Sequence, residues 1–327
     1  MSRFKVVVTD YVFESFDAER EILAAVGAEL TVLQCKSAAE LKPHLPGVHG
    51  LLNTYLPGIN AEVFDAAPSL RAVVRYGIGT DTIDIPAATQ RGILVANVPD
   101  YCINEVADHA LAHFLCLNRK MLLSDRKVKS GEWSLGYLKP LRALRALRAG
   151  IIGFGRIGQA IAARLKPFGL EVVFADPVLA DGTAGCRRVP LDELYATCDA
   201  IFVQCPATKD TRHLLNRQAF EQMKKKPVII NCARGEVVDT DAVVWALENG
   251  LISGAGLDLL EDENAVVKAA HPLKKFDNVV LTPHSAWFSD LAIPSLQRRA
   301  AEEMARALRG EKPSSLRNPE AWEKRRR

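Results

Sequence analysis

Three short stretches of the chain carry residue types that can hold an anion and move a proton. "NCARGEVVD" (231–239) sets Arg234 directly after an apolar run and next to Gly235. A guanidinium is a planar fork that can grip a carboxylate through two parallel hydrogen bonds. "GLDLLEDE" (256–263) supplies four acids, Asp258, Glu261, Asp262 and Glu263. "LTPHSAW" (281–287) supplies His284, with Trp287 three residues on. Imidazole is the side chain whose ordinary pKa lets it give or take a proton near neutral pH. A single loop histidine is better explained as a polar residue ending a strand. What raises His284 is that all three stretches follow β-branched runs. Strand ends in open parallel sheets face the ligand crevice, so three successive ends deliver an arginine, acids and a histidine to one rim.

A second pattern supplies a partner for that chemistry. "GIIGFGRIGQA" (150–160) contains Gly153-x-Gly155-x-x-Gly158, with Arg156 and Ile157 inside the motif. The motif alone is weak, but here a β-branched run precedes it and helical spacing follows. Asp176 lies 18 residues beyond Gly158, at the end of the next apolar run. That closes a unit of the size that binds a dinucleotide. Gly153 permits the tight turn, Gly155 lets the backbone approach a pyrophosphate, and Gly158 allows close packing of helix on strand. The helix N-terminus offers free N–H groups and partial positive charge to the phosphates. Asp176 would accept hydrogen bonds from ribose hydroxyls and repel a 2′-phosphate, which favours NAD over NADP.

The elements that must position these groups alternate along the chain. β-branched runs recur at "FKVVVTD" (4–10), "LTVLQC" (30–35), "GLLNTY" (50–55), "RAVVRYG" (71–77) and "GILVANV" (92–98). A second array runs from "AGIIGFG" (149–155) to "NVVLTPH" (278–284). Continuous apolar runs suit strands buried on both faces, and helical spacing between them implies right-handed βαβ units. The expected fold class is α/β, with two doubly wound parallel-sheet domains. A continuous helix is expected over 104–128, and a closing amphipathic helix over 294–310. The three arginines of "LRALRALRA" (141–149) read as a solvated lead-in to the next strand. His109 and His113 stand four apart on the long helix, but its apolar character reads as buried structural histidines and no metal site is expected.

Composition narrows the class. With 327 residues, 48% hydrophobic and 25% charged, the chain reads as an ordinary globular protein of two domains. A net charge of +3 is too small to imply nucleic acid. Seven cysteines without Cys-x-x-Cys spacing argue against a disulfide framework or zinc and for a reducing compartment. The first ten residues lack the apolar core of a signal peptide, and no apolar segment is long enough to span a bilayer. A cytoplasmic location is expected.

Taken together, "RYGIGTDTIDIPAATQRGILVANVPDYCINEVADHALA", the glycine motif, "NCARGEVVDTDAVVWALENGLISGAGLDLLEDE" and "NVVLTPHSAWFS" resemble the D-isomer-specific 2-hydroxyacid dehydrogenases. The resemblance implies a Rossmann NAD-binding domain (102–287) inserted into a flavodoxin-like substrate domain (1–101 and 288–327). It further implies a cleft between them that closes over substrate. It implies that Arg234 anchors a 2-oxo acid, that His284 delivers the proton, and that Glu263, 29 residues after Arg234, stabilises the imidazolium and raises its pKa. Cys205, Pro206 and Thr211 of "CPATKDT", Cys232, Ala233 and Asp258 are then expected to contact the cofactor. Arg75 and Trp287 look most like the C-terminal-binding-protein branch, where the matching residues sit in the substrate pocket. Arg75, Tyr76, Gly77, Tyr55 and Trp287 are accordingly expected around the substrate, with Tyr55, Tyr76, Tyr101 and Trp287 as an aromatic mouth. Asn53-Thr54-Tyr55 offers no charge for a substrate phosphate, so a phosphorylated substrate is less supported. A homodimer with 104–140 as its main contact is expected. That branch also contains NADH-responsive corepressors, but the presence of Arg234, Glu263 and His284 favours an enzyme.

Overall fold

The computed structural model describes residues 3–267 and 270–326. They form two compact units, one of Met1–Tyr101 with Ser289–Arg327, the other of Cys102–Phe288. No helix among the described residues is long and apolar enough to cross a membrane.

The first unit opens with β1 (Phe4–Val8), α1 (Asp17–Ala24), β2 (Ala28–Val32), α2 (Ala38–Leu41) and β3 (Gly50–Asn53). α3 (Ala61–Asp65), β4 (Ala72–Arg75), α4 (Ile85–Gln90) and β5 (Leu94–Ala96) follow. α2, α3 and α4 each begin at a side chain that accepts a first-turn N–H, from Ser37, Asn60 and Asp84. The five strands are parallel in the order β2-β1-β3-β4-β5, the flavodoxin-like doubly wound arrangement. β3 and β4 are buried throughout, which explains why they read as unbroken apolar runs.

The second unit begins with α5 (Ile103–Asn118) and α6 (Met121–Lys129). The single helix expected over 104–128 is therefore two. Lys120 between them takes φ +52°, a left-handed residue that ends one helix and re-aims the next. Neither glycine nor proline marks the break, so residue types gave no signal of it. The unit continues with β6 (Arg148–Ile152), α7 (Arg156–Leu165), β7 (Glu171–Ala175), β8 (Arg187–Arg188), α8 (Leu191–Thr197) and β9 (Ala200–Val203). α9 (Arg217–Glu221), β10 (Val228–Asn231), α10 (Thr240–Glu248), β11 (Gly254–Leu257), α11 (Glu263–Val267) and β12 (Val279–Leu281) complete it. Its seven strands are parallel in the order β12-β11-β10-β9-β6-β7-β8. The order reverses at β6, whose neighbours are β7 and β9, and ligands bind at such switch points. Arg148 is not a solvated lead-in. As the first residue of β6 it is half-buried and pairs with Glu171 and Glu193, both at 3.2 Å.

The chain then returns to the first unit as α12 (Ala292–Arg309), closed by Gly310 in the left-handed conformation. Leu296, Ala300, Met304 and Leu308 form its buried face. A Cβ at Gly50 would come within 2.4 Å of Met304 Sδ, so the glycine lets α12 seat on the sheet. Beyond α12 the chain covers the edge of the sheet. Leu316 bridges Ala96 antiparallel, and Arg317 N donates to Val95 O at 2.7 Å. The buried Asn318 amide accepts from Val95 N (2.8 Å) and donates to Ile93 O (2.9 Å) and Thr89 Oγ1 (3.0 Å). An exposed edge strand is thereby paired off.

Candidate active site

At the switch point of the second unit, β6 runs into Gly153-Phe154-Gly155 and then α7. Gly153 has φ +85°, and a Cβ there would lie 2.6 Å from Cys205 N at the end of β9. A Cβ at Gly158 would lie 2.5 Å from Gly153 O. These two glycines are required by the protein's own backbone. Gly155 differs, because a Cβ there meets nothing within 4 Å. Its open face, beside the first turn of α7 with Arg156 and Ile157, is the space a pyrophosphate needs. The residues present therefore fit a dinucleotide.

Asp176 follows β7 and folds back over this turn. Its carboxylate accepts from Phe154 N (2.8 Å), Val178 N (2.9 Å) and Leu179 N (3.1 Å). Burial pushes its pKa up, but the three backbone N–H groups and nearby Arg188 outweigh that, and the net shift is downward. Asp176 is thus an ionised acid at neutral pH. The loop after β9 is closed on itself by Thr211 Oγ1, which donates to Pro206 O (2.6 Å) and accepts from Thr208 N (2.8 Å). Cys205, Cys232 and Ala233 are buried, so these residues present mainly backbone at the crevice. Burial raises the Cys205 thiol to about 11 and Cys232 well above its ordinary value. Both stay protonated thiols.

The other rim is formed by the ends of β10, β11 and β12. Asn231, fully buried, accepts from Ala233 N (3.1 Å) and donates to Arg234 O (3.0 Å) and Leu259 O (3.4 Å). It ties the Arg234 turn to the segment after β11. Gly235 is needed there, since a Cβ would lie 2.1 Å from Leu260 C. Arg234 is half-buried, with Nη1 donating to Ala233 O at 2.6 Å.

The four acids after β11 have four different partners. Asp258, buried, accepts from Thr282 Oγ1 (2.5 Å), Ser285 N (2.9 Å) and Ala286 N (2.9 Å). Glu261 accepts from Arg212 (2.7 Å) and lies 2.8 Å from His213 Nε2. Asp262 accepts the Asn264 and Ala265 N–H groups at the start of α11. Glu263 Oε1 lies 3.1 Å from His284 Nδ1. His284 has φ +53°, and its N–H donates to Asp258 O at 2.9 Å. Trp287 is half-buried and meets Phe288 edge-on, with ring centroids 5.5 Å apart. His109 and His113, on α5, both reach Thr282 Oγ1 through Nε2, at 2.9 and 3.1 Å. No group of three His, Cys, Asp or Glu residues that could hold a metal occurs among the described residues.

In the first unit, Arg75 is buried at the end of β4 with its guanidinium 5.2 Å from the centre of the Tyr55 ring. Nη1 donates to Tyr76 O. A Cβ at Gly77 would sit 2.9 Å from Nη1, so the glycine makes room for the guanidinium. Tyr76 corrects the expected aromatic mouth. Its ring is 2% exposed and packs edge-on against Phe13, and its hydroxyl donates to Glu19 Oε1 at 2.9 Å. A residue whose ring is buried in the core just after β4 offers only its backbone to a ligand. Asp10, missed by motif reading, accepts from Thr54 N, Tyr55 N and Leu56 N at 2.9–3.0 Å and shapes the Tyr55 loop. Asn231 and Thr282 were missed similarly. Each is a common residue type whose role comes from what the fold brings to it.

Residues 111–286 match the family model of the D-isomer-specific 2-hydroxyacid dehydrogenase NAD-binding domain. The chain belongs to this family. A glyoxylate reductase of Korarchaeum cryptofilum is 38% identical over 271 residues, 80% of each chain. The D-lactate dehydrogenase of Aquifex aeolicus, solved with NAD and lactic acid, superposes with a TM-score of 0.88 at 28% identity, covering 96% of this chain and 99% of that one. An NADPH-dependent glyoxylate/hydroxypyruvate reductase of Sinorhizobium meliloti, solved with NADP and malonate, gives 0.86 at 30% identity, over 100% of this chain and 99% of that one. This dehydrogenase is an oxidoreductase that uses a nicotinamide cofactor to interconvert 2-oxo acids and their D-2-hydroxy acids.

Proposed function

We propose that the chain reduces a small unphosphorylated 2-oxo acid of the glyoxylate and hydroxypyruvate class, with His284 as proton donor. The contact that carries this reading is His284 Nδ1 to Glu263 Oε1 at 3.1 Å. It engages one ring nitrogen and orients the other, Nε2, as the one that delivers a proton to the developing alkoxide. Arg234 is read as the anchor for carboxylate and keto oxygen. When bound, the nicotinamide supplies the hydride. Gly153, Gly155, Arg156, Ile157 and Gly158 would hold the pyrophosphate. Backbone around Cys205, Pro206, Thr211, Cys232, Ala233 and Asp258 would complete the cofactor contacts. Asp176, ionised and close to the glycine turn, favours NAD over NADP. The glyoxylate class is supported by the Korarchaeum and Sinorhizobium relatives.

In the first unit, Arg75 is read as a second carboxylate anchor, with Tyr55 and the backbone of Tyr76 and Gly77, and Trp287 of the second unit as a substrate wall. The two units are read as substrate and cofactor domains. A homodimer is proposed through α6 and the segment after it, where Met121, Leu122, Val128, Trp133 and Leu135 expose large apolar side chains. All seven cysteines are free thiols, in keeping with a cytoplasmic location.

The deciding experiment follows NADH and NADPH oxidation with glyoxylate, hydroxypyruvate, pyruvate, bulkier 2-oxo acids and 3-phosphohydroxypyruvate. Highest kcat/KM with NADH and glyoxylate or hydroxypyruvate is expected. Preference for the phosphorylated acid, or for NADPH, would overturn the corresponding part of the reading.

A further inference from the structure

The second unit holds a polar cluster whose side chains the mechanism above leaves unused. It joins α5 to the ends of β11 and β12. Thr282 Oγ1 stands at its centre, 2.5 Å from Asp258 Oδ1, 2.9 Å from His109 Nε2 and 3.1 Å from His113 Nε2. A hydroxyl has one proton to donate and two lone pairs to accept with. The Thr282 hydroxyl donates that proton to Asp258 Oδ1. Each imidazole then meets the hydroxyl oxygen as a donor through Nε2–H, and His109 Nε2 also lies 3.5 Å from Asp258 Oδ1. For His113, burial lowers the pKa to about 4, which leaves a neutral ring, and donation to Thr282 requires the tautomer with its proton on Nε2. Gly256 of β11 admits that ring, because a Cβ there would lie 2.5 Å from His113 Nδ1.

The hydroxyl so oriented fixes the Asp258 carboxylate, and that carboxylate fixes the chain beyond His284. Asp258 Oδ1 and Oδ2 accept Ser285 N and Ala286 N, while Asp258 O accepts His284 N, all at 2.9 Å. His284 is therefore bracketed by hydrogen bonds to one residue while it holds φ +53°. Backbone in that region persists only where its surroundings over-determine it. If the carboxylate turns, residues 285 and 286 are released. His284 can then relax toward negative φ and draw Nδ1 away from Glu263.

We propose that Thr282, oriented by His109 and His113, is a positioning residue that holds His284 in its proton-delivering conformation. The inference rests on the reading of His284 as proton donor. The test is steady-state kinetics of the full chain with NADH and the 2-oxo acid it turns over best. Thr282→Val keeps the shape and removes the hydroxyl. Its kcat should fall about 10²-fold, the scale of an ångström-level misplacement. Its KM and the wild-type kcat of Thr282→Ser should both stay within about threefold. A role confined to side-chain volume would rank Val above Ser. His113→Leu should lower kcat alone yet add little to Thr282→Val, since both act through one hydroxyl. If Thr282→Val does not fold, His113→Gln against His113→Leu makes the same comparison, Gln keeping an N–H donor and its kcat. Unchanged kcat in Thr282→Val, or full additivity with His113→Leu, overturns the proposal. His284→Asn is the reference. If it retains turnover, the reading of His284 and this inference fall together. If it loses turnover while Thr282→Val does not, only this inference falls.

Discussion

His284 meets two demands that few side chains meet together. It must carry a transferable proton, and it must tolerate a left-handed backbone. Asparagine shares the second property, since Asn and His are both enriched at positive φ. His284→Asn therefore removes the proton while sparing the loop, where alanine would confound the two. Its kcat should fall about 10²- to 10⁴-fold, the usual contribution of a positioned acid. NADH affinity, followed by nicotinamide fluorescence, should be unchanged. At the same scale, residue types alone nominate Asp258, Glu261, Asp262 and Glu263 equally as partners of the histidine, and it is the family resemblance, through the 29 residues from Arg234, that singled out Glu263. One braces the His284 loop, one binds Arg212 and His213, one caps α11, and one reaches the imidazole. The difference lies in the direction each side chain leaves a turn, which residue type does not encode.

At the scale of elements, apolar periodicity carried most of the information. Strands buried on both faces read as continuous runs because both faces must exclude water. Helix ends and edges were less legible. The break at Lys120 and the covering of β5 by Leu316–Asn318 depend on contacts distant in sequence. Asn318 shows how much one such contact can matter. Its amide is 1% exposed and serves three groups of the β5 region. Asn318→Ala leaves Val95 N and Ile93 O without that partner. It should cost about 1–3 kcal/mol, the desolvation penalty of buried unpaired groups. Urea unfolding of the variant should show a lower midpoint at unchanged slope.

For the molecule as a whole, stability should depend on acid through His113. Its folded-state pKa, about 4, lies below the ordinary 6.5, mainly through burial, with repulsion from His109 added and Asp258 opposing. Between these values the unfolded chain binds the proton and the folded chain does not. The contribution is complete above pH 6.5 and is lost as pH falls through about 4. By linkage it is on the order of 3 kcal/mol. Urea midpoints of His113→Leu should therefore fall less steeply between pH 6.5 and 4 than those of wild type. Equal slopes would show that another group controls acid unfolding. Assembly is the second whole-molecule property. Trp133, 89% exposed, is the most exposed of the large apolar side chains along α6 and its following segment. On the homodimer proposed above, Trp133→Arg should shift the mass by light scattering from dimer to monomer, and a wild-type mass of one chain would overturn that proposal.

The sequence by itself determined the two α/β arrays, the glycine corner and the strand ends where Arg234, Asp258 and His284 stand. Each of these follows from local rules. Burial on two faces imposes a periodicity, a tight turn excludes a Cβ, and parallel strands put their carboxyl ends on one side. Only the tertiary structure decided that Tyr76 turns inward to Glu19. It also decided that two helix histidines with metal-like spacing converge on a threonine hydroxyl. Those outcomes depend on register, on side-chain direction, and on α5 lying across β11 and β12. Strand and helix patterns leave all three open, because a pattern says which face is buried and not what it is buried against.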